Sequence, residues 1–189
     1  MTIEANAITA IVLCGGRGSR MGDRDKPLLE YEARPIVAHI VDALSGSVAN
    51  VLISANRNLQ MYRRYGMVVE DELAGYGPLS GIASCLKRCD TTYAFVCPGD
   101  APNLDSSLIQ TLAHALESCD AMVAAAHDAQ QRQNLHLLLH AGVESDIDAY
   151  LATGARSVKG WLDHMATVDV DCADIAQSFA DLDDPEDFG

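Results

Sequence analysis

The sequence predicts an α/β fold of three layers, a mainly parallel sheet covered by helices on both faces. Three observations carry that expectation. Short apolar runs of strand type alternate with segments of helical spacing along the chain. The 189 residues suffice for one domain with a full core and are too few for two ordinary ones, so residues 1–189 are expected to form a single domain. Glycine-rich or Pro-Gly breaks follow the first and fourth strand-like runs, and in mainly parallel sheets ligands bind beyond the carboxyl ends of the strands.

Ile8 to Leu13 is the first expected strand and breaks at Cys14-Gly15-Gly16-Arg17-Gly18. Pro35 opens a helix in which Ile36, Val37, Ile40, Val41 and Leu44 repeat at helical spacing, with Gly46 after its end. Val48 to Ala55 is a strand, Leu59 to Tyr65 a short helix, and Met67 to Val69 a short strand. After a loop with Gly75, Gly77 and Pro78, Leu79 to Cys89 is helical, with Ile82, Cys85, Leu86 and Cys89 along one stripe. Thr92 to Cys97 is the fourth strand and ends at Pro98-Gly99-Asp100. Asp105 or Ser106 caps a helix running to about Ser118. Ala121 to Ala126 is a strand, His127 to Gln133 an exposed loop, and Leu135 to His140 a strand. Helices are expected over Val143 to Ala152 and Ser157 to His164, and a last strand over Val168 to Val170. The tail from Asp181 to Gly189 is acidic and expected to be loose.

The net charge of −14 disfavours nucleic acid, whose phosphates an acidic protein repels. Four of the thirteen basic residues, Arg17, Arg20, Arg24 and Lys26, nevertheless fall together, which suggests a small anionic ligand there or a solvated loop. No apolar run spans a bilayer and the N-terminus lacks the pattern of a signal peptide, so no membrane partner and a cytoplasmic location are expected. None of the six cysteines forms a CxxC pair, and reduced, mostly core thiols are expected. His136 and His140 lie in a strand-like run and read as structural.

The stretch Leu13-Cys14-Gly15-Gly16-Arg17-Gly18-Ser19-Arg20-Met21-Gly22 follows a strand, and its glycines let backbone N–H groups approach a phosphate. No Gly-Lys-Ser/Thr closes it, and Met21 stands where a dinucleotide fingerprint needs its third glycine. Asp25-Lys26-Pro27-Leu28-Leu29 then supplies a lysine able to reach the α-phosphate of a wrapped nucleoside triphosphate, and Arg20 can neutralise the departing pyrophosphate.

The string from Leu13 to Leu28 resembles the signature of the nucleotidyltransferases with a glycosyltransferase-A-like, Rossmann-like fold, and most of all the molybdenum cofactor guanylyltransferases. Ser54-Ala55-Asn56-Arg57, Glu70-Asp71, Gly77-Pro78-Leu79-Ser80-Gly81-Ile82, Cys97-Pro98-Gly99-Asp100-Ala101-Pro102 and Gly154-Ala155-Arg156-Ser157-Val158 fall in family order. The resemblance implies one nucleotidyltransferase domain, a magnesium ion held by Asp100, and nucleotide contacts from Leu13, Cys14, Gly15, Gly16, Lys26, Ser54, Asn56, Asp71 and Asp100. Asp71 would lie near the ribose or base, and either Ser54 or Asn56 would face the base. A turn-forming role is the alternative for Asn56, and a capping or turn role for Asp100. Lys26, Asp100 and Arg20 are the catalytic candidates.

The chain departs from the family pattern in places. Cys14 replaces the usual alanine, Asp181 and Asp183 replace two asparagines, and Arg132-Gln133-Asn134-Leu135 lacks a His-Pro often found there. Asp183 thereby becomes a candidate second metal ligand. The resemblance implies transfer of GMP from GTP to the terminal phosphate of molybdopterin-bound molybdenum, releasing pyrophosphate. Molybdoenzymes or their chaperones are candidate partners. Alternatives are a molybdopterin cytidylyltransferase, against which Gly15-Gly16 stands, a sugar-phosphate nucleotidyltransferase, and a non-catalytic nucleotide sensor, against which Lys26 and Asp100 stand together.

Overall fold

The computed structural model describes residues 2–15, 25–73, 75–180 and 182. Gly16, Arg20, Asp181 and Asp183, all singled out above, lie outside the described residues. In chain order the elements are β1 (Ile8–Leu13), β2 (Glu30–Tyr31), β3 (Arg34–Pro35), α1 (Ile36–Leu44), β4 (Asn50–Ser54), α2 (Leu59–Tyr62) and β5 (Met67–Val69). There follow α3 (Pro78–Leu86), β6 (Tyr93–Pro98), α4 (Ser107–Glu117), β7 (Val123–His127), β8 (Arg132–His140), α5 (Glu144–Ala152), α6 (Val158–Leu162) and β9 (Thr167–Asp171).

β1 is buried along its whole length, and its side chains divide between two apolar layers. Ile8, Ala10 and Val12 pack with α1 and α4, through Ile36, Val37, Ile40 and Leu44 of the first helix and Leu108, Ile109 and Leu112 of the second. Ile11 and Leu13 pack on the other face with Leu79 and Ile82 of α3, Ile147 of α5 and Trp161 of α6. Each fully buried aliphatic side chain contributes roughly 1.5–3 kcal/mol. Neither face of β1 meets water, so its sequence is apolar except for Thr9, whose buried hydroxyl accepts from the Thr91 hydroxyl at 2.8 Å.

The strands form one sheet in the order β5-β4-β1-β6-β8-β7-β9. β1 pairs in parallel with β4 and β6, β4 with β5, and β7 with β9, while β8 runs antiparallel to both its neighbours. The chain thus leaves β1 toward one edge, through β4 and β5, and then crosses to β6 on the other side. That reversal opens a crevice at the carboxyl ends of β1 and β6. Because β8 is reversed, its first residues emerge at this same rim. Arg132 pairs with His127 at the end of β7, and a tight turn whose N–H groups from Gln130 and Gln131 donate to the Asp128 carboxylate joins the two strands.

The expected three-layer α/β architecture is the one observed, with five local corrections. The polar segment expected as a loop over His127 to Gln133 is partly strand, because Arg132 and Gln133 begin β8 and are held there by pairing with β7. The helix expected from Leu59 to Tyr65 stops at Tyr62, and the one expected to Cys89 stops at Leu86. The strand expected from Val48 to Ala55 is shorter, Asn50–Ser54. The β2–β3 hairpin was not anticipated, since its turn places Glu32 and Ala33 at positive φ (48° and 62°) without glycine or asparagine. Asp105, one of the two expected caps, accepts the Ser107 N–H at 2.8 Å, and hydrogen bonding from the Ser107 side chain and then its backbone holds the carboxyl below the usual range. Among the described residues no helix is long and apolar enough to cross a membrane.

His136 is structural, as expected. It is buried edge-on against Phe179, and burial pushes its imidazole from 6.5 down to about 4. The neutral ring is therefore the folded form. Between pH 6.5 and about 4 the unfolded chain takes up a proton that the folded chain refuses, so stability from this group is present above 6.5 and lost as pH falls toward 4. His136→Leu should flatten that part of the profile, which amounts to as much as about 3 kcal/mol. Urea melts from pH 4 to 7 check this, and parallel profiles for the two proteins would exclude it.

Candidate active site

Four strand ends and the turns beyond them meet at the rim of the crevice. Backbone bonds continue past the formal ends of the strands: Cys14 N–H donates to the Ser54 carbonyl at 2.9 Å, Ala55 N–H to Val69 at 3.1 Å, and Gly99 N–H to Leu13 at 2.9 Å. These bonds fix where the next side chains leave the sheet.

On one side stand the residues after β4 and β5. The Asp71 carboxylate accepts from the Ser54 hydroxyl at 3.0 Å and from the Asn56 amide at 2.8 Å, while the Asn56 carbonyl accepts the Asp71 N–H at 2.9 Å. Asn56 is thereby oriented at both ends of its amide. Gly15 faces this group, since a Cβ there would lie 4.0 Å from Asn56 Nδ2. Gly81, in the first turns of α3, lets the helix approach: a Cβ on it would overlap the Ser54 hydroxyl and stand 3.1 Å from Asp71 Oδ1.

On the other side, Lys26 and Asp100 meet across the crevice. Their Nζ–Oδ2 distance is 3.0 Å, with side chains 13% and 28% exposed. Lys26 opens a short 3-10 turn, Lys26–Leu28, whose Pro27 packs so close to Gly99 that a Cβ there would lie 3.1 Å from the proline Cγ and 2.7 Å from Cys14 Sγ. Burial pushes the Cys14 thiol well up, helped by Cys97 and Asp25, and burial also raises Cys97. Both thiols are protonated at neutral pH and supply no nucleophile.

Of the residues singled out by sequence, Gly15, Ser54, Asn56 and Asp71 gather on one side, Lys26 with Asp100 on the other, and Leu13 with Cys14 lie between, bonded to Gly99 and to Ser54. Sequence reasoning assigned nothing to Gly81 or to Asp25, a buried carboxylate beside Lys26. Gly81 was visible only as part of a quoted motif. Asp25 was visible only as the neighbour of a lysine.

Among the described residues no three His, Cys, Asp or Glu side chains converge as a metal site. A single carboxylate is nonetheless a sufficient protein ligand for Mg²⁺, a hard cation that takes its remaining oxygens from phosphates and water. Asp100, partly exposed at a strand end and facing a lysine, fits that donor set.

The strand order, the glycine-rich stretch after β1 and the lysine–aspartate pair define the class, an α/β nucleotidyltransferase. Residues 10–168 match the MobA-like NTP transferase domain. The molybdenum cofactor guanylyltransferase of Ralstonia pickettii is 37% identical over 191 residues, covering 95% of this chain and 93% of that one. That of Photobacterium profundum is 33% identical, covering 98% and 95%. The chain belongs to the MobA-like NTP transferase family. Among solved structures, molybdopterin-guanine dinucleotide biosynthesis protein A from Archaeoglobus fulgidus superposes with a TM-score of 0.80 at 17% identity, covering 95% of this chain and 94% of that one. The 4-diphosphocytidyl-2C-methyl-D-erythritolsynthase from Anaerococcus prevotii shares the fold at a TM-score of 0.68 and 13% identity, covering 97% and 95%.

Gly81→Ala should destabilise the protein by about 1–3 kcal/mol, because α3 must withdraw from Ser54 and Asp71. Gly142→Ala, where nothing lies within 4 Å of the added Cβ, is the control. Thermal melts of the two variants compare them directly, and equal midpoints would contradict the packing described.

Proposed function

We propose that this chain, as one nucleotidyltransferase domain over residues 1–189, transfers GMP from GTP to the terminal phosphate of molybdopterin-bound molybdenum. The products are the guanine dinucleotide cofactor and pyrophosphate. The observation that carries this reading is the 3.0 Å pairing of Lys26 with Asp100 at the switch point of the sheet. The names of the relatives supply the nucleotide and the acceptor. The reading places the reaction in the cytoplasm, where GTP is made, and passes the product to molybdoenzymes or their chaperones.

An oxygen of the acceptor phosphate attacks the α-phosphorus as the bond from that phosphorus to the bridging β-oxygen breaks, and pyrophosphate leaves. The attacking group is already an anion, so no protein nucleophile is required, in keeping with the protonated thiols nearby. Catalysis is then positioning and charge stabilisation. Lys26 holds the α-phosphate, and Arg20 with the loop N–H groups takes the β- and γ-phosphates. Asn56, Asp71 and Ser54 face the nucleoside. Asp100 would hold Mg²⁺, which when bound offsets phosphate charge at the reacting centre.

GTP should bind more tightly than ATP, CTP or UTP in calorimetric titrations with Mg²⁺, and CTP as the tightest ligand would transfer the reading to a cytidylyltransferase. Lys26→Ala should lower kcat by about 10²–10³ and raise the KM for GTP by less, since one preorganised charge at the reacting centre is lost. Asp100→Asn should abolish most turnover with the thermal midpoint retained. Steady-state kinetics on both variants test this, and an unchanged kcat in either removes that residue from the reacting centre.

A further inference from the structure

Asp25 directly precedes Lys26 and is 9% exposed. A carboxylate so buried is tolerated only when donors surround it. Among the described residues its side-chain donors come from one place, the turn after β4 and the helix α2. The Tyr62 hydroxyl donates to Oδ1 at 2.7 Å and the Asn58 amide to Oδ2 at 2.8 Å, while Arg57 Nε stands 3.5 Å from Oδ2. Asn58 adopts a left-handed backbone (φ 51°) at the start of α2, a conformation rare outside glycine and held here by the surrounding turn. Tyr62 is completely buried, and its phenol also contacts the Cys14 thiol. One hydroxyl thus anchors Asp25 beside Cys14, where the chain meets the end of β1.

The consequence for Lys26 is direct. The Asp25 carbonyl accepts the Leu28 N–H at 2.9 Å and so starts the turn that carries Lys26, and Pro27 is wedged beside Gly99 on the far side. The lysine backbone is fixed at both flanks before its side chain reaches Asp100. The same turn after β4 also carries Asn56, which binds Asp71, so the two sides of the crevice share one support.

We infer that Asp25, clasped by Tyr62 and Asn58, is a positioning residue that sets Lys26 at the height the transferring phosphate requires. This rests on the nucleotidyl transfer proposed above. A residue holding another within a fraction of an ångström of its productive place can govern about 10²-fold in rate. A residue that merely fills the fold lowers stability without acting through Lys26.

A double-mutant cycle separates the two roles. Asp25→Asn keeps the shape of the side chain and removes its charge. Kinetics of GMP transfer from GTP to the molybdopterin acceptor are measured for wild type, Asp25→Asn, Lys26→Ala and the double variant, each well below its thermal midpoint. Asp25→Asn should lower kcat about 10- to 100-fold in the wild-type background, with a smaller change in the KM for GTP, and by less than about twofold when Lys26 is already alanine. An unchanged kcat, or the same fold-loss in both backgrounds, overturns the inference. If Asp25→Asn does not fold, Asn58→Gly takes its place in the cycle, since glycine keeps the left-handed backbone and removes only the amide donor. A folded wild type that transfers no GMP overturns the functional reading and the inference with it. A wild type that transfers GMP beside an additive cycle overturns the inference alone.

Discussion

The hydrogen bond from Gly99 N–H to the Leu13 carbonyl, 2.9 Å long, carries the β1–β6 ladder one step beyond both strands. It leaves no room for a side chain at Gly99, whose Cβ would meet Cys14 Sγ at 2.7 Å and the Leu13 oxygen at 3.0 Å. Because the two strand ends are drawn this close, Asp100 projects toward the turn that holds Lys26. The crevice is narrow at that point because a backbone bond closes it, and the charged pair stands at its mouth. Loosening that bond would separate the lysine from the aspartate without changing either.

The polar groups around this point are bonded to one another. Asp71 is satisfied by Ser54 and Asn56, and Asp25 by Tyr62 and Asn58 with Arg57 alongside. Buried or half-buried carboxylates are costly unless donors meet them, and here each acceptor is met from the segment after β4. The chain as a whole carries a net charge of −14, which disfavours polyanions, while Lys26 places a cation at the crevice.

Much of the fold was legible because a sheet covered on both faces forces whole strands to be apolar. β1 and the main run of β6 could be read from composition alone, and α1 and α4 from spacing that matches one buried face each. What escaped was decided by contacts distant in the chain. Arg132 and Gln133 look like a loop, yet they are strand because His127 and its neighbours pair with them. Glu32 and Ala33 carry no sign of the positive φ that their hairpin imposes. At the site, family resemblance singled out Ser54, Asn56 and Asp71 one by one, but not that they bond to each other. Asp25 was silent because its partners lie on α2 and the turn before it, and a tyrosine on a short helix looks like ordinary core.

The reversal of β8 has a consequence for how such a crevice can diversify. Six strands deliver their carboxyl ends to the rim, and one delivers its amino end, so the segment entering β8 faces the same opening as those leaving β1 and β6. The turn between His127 and Arg132 holds itself through Asp128 and, among the described residues, shares no hydrogen bond with the Asp25 or Asp71 groups. A change in the length or charge of that entrance would therefore leave the hydrogen bonds after β1, β4 and β6 in place.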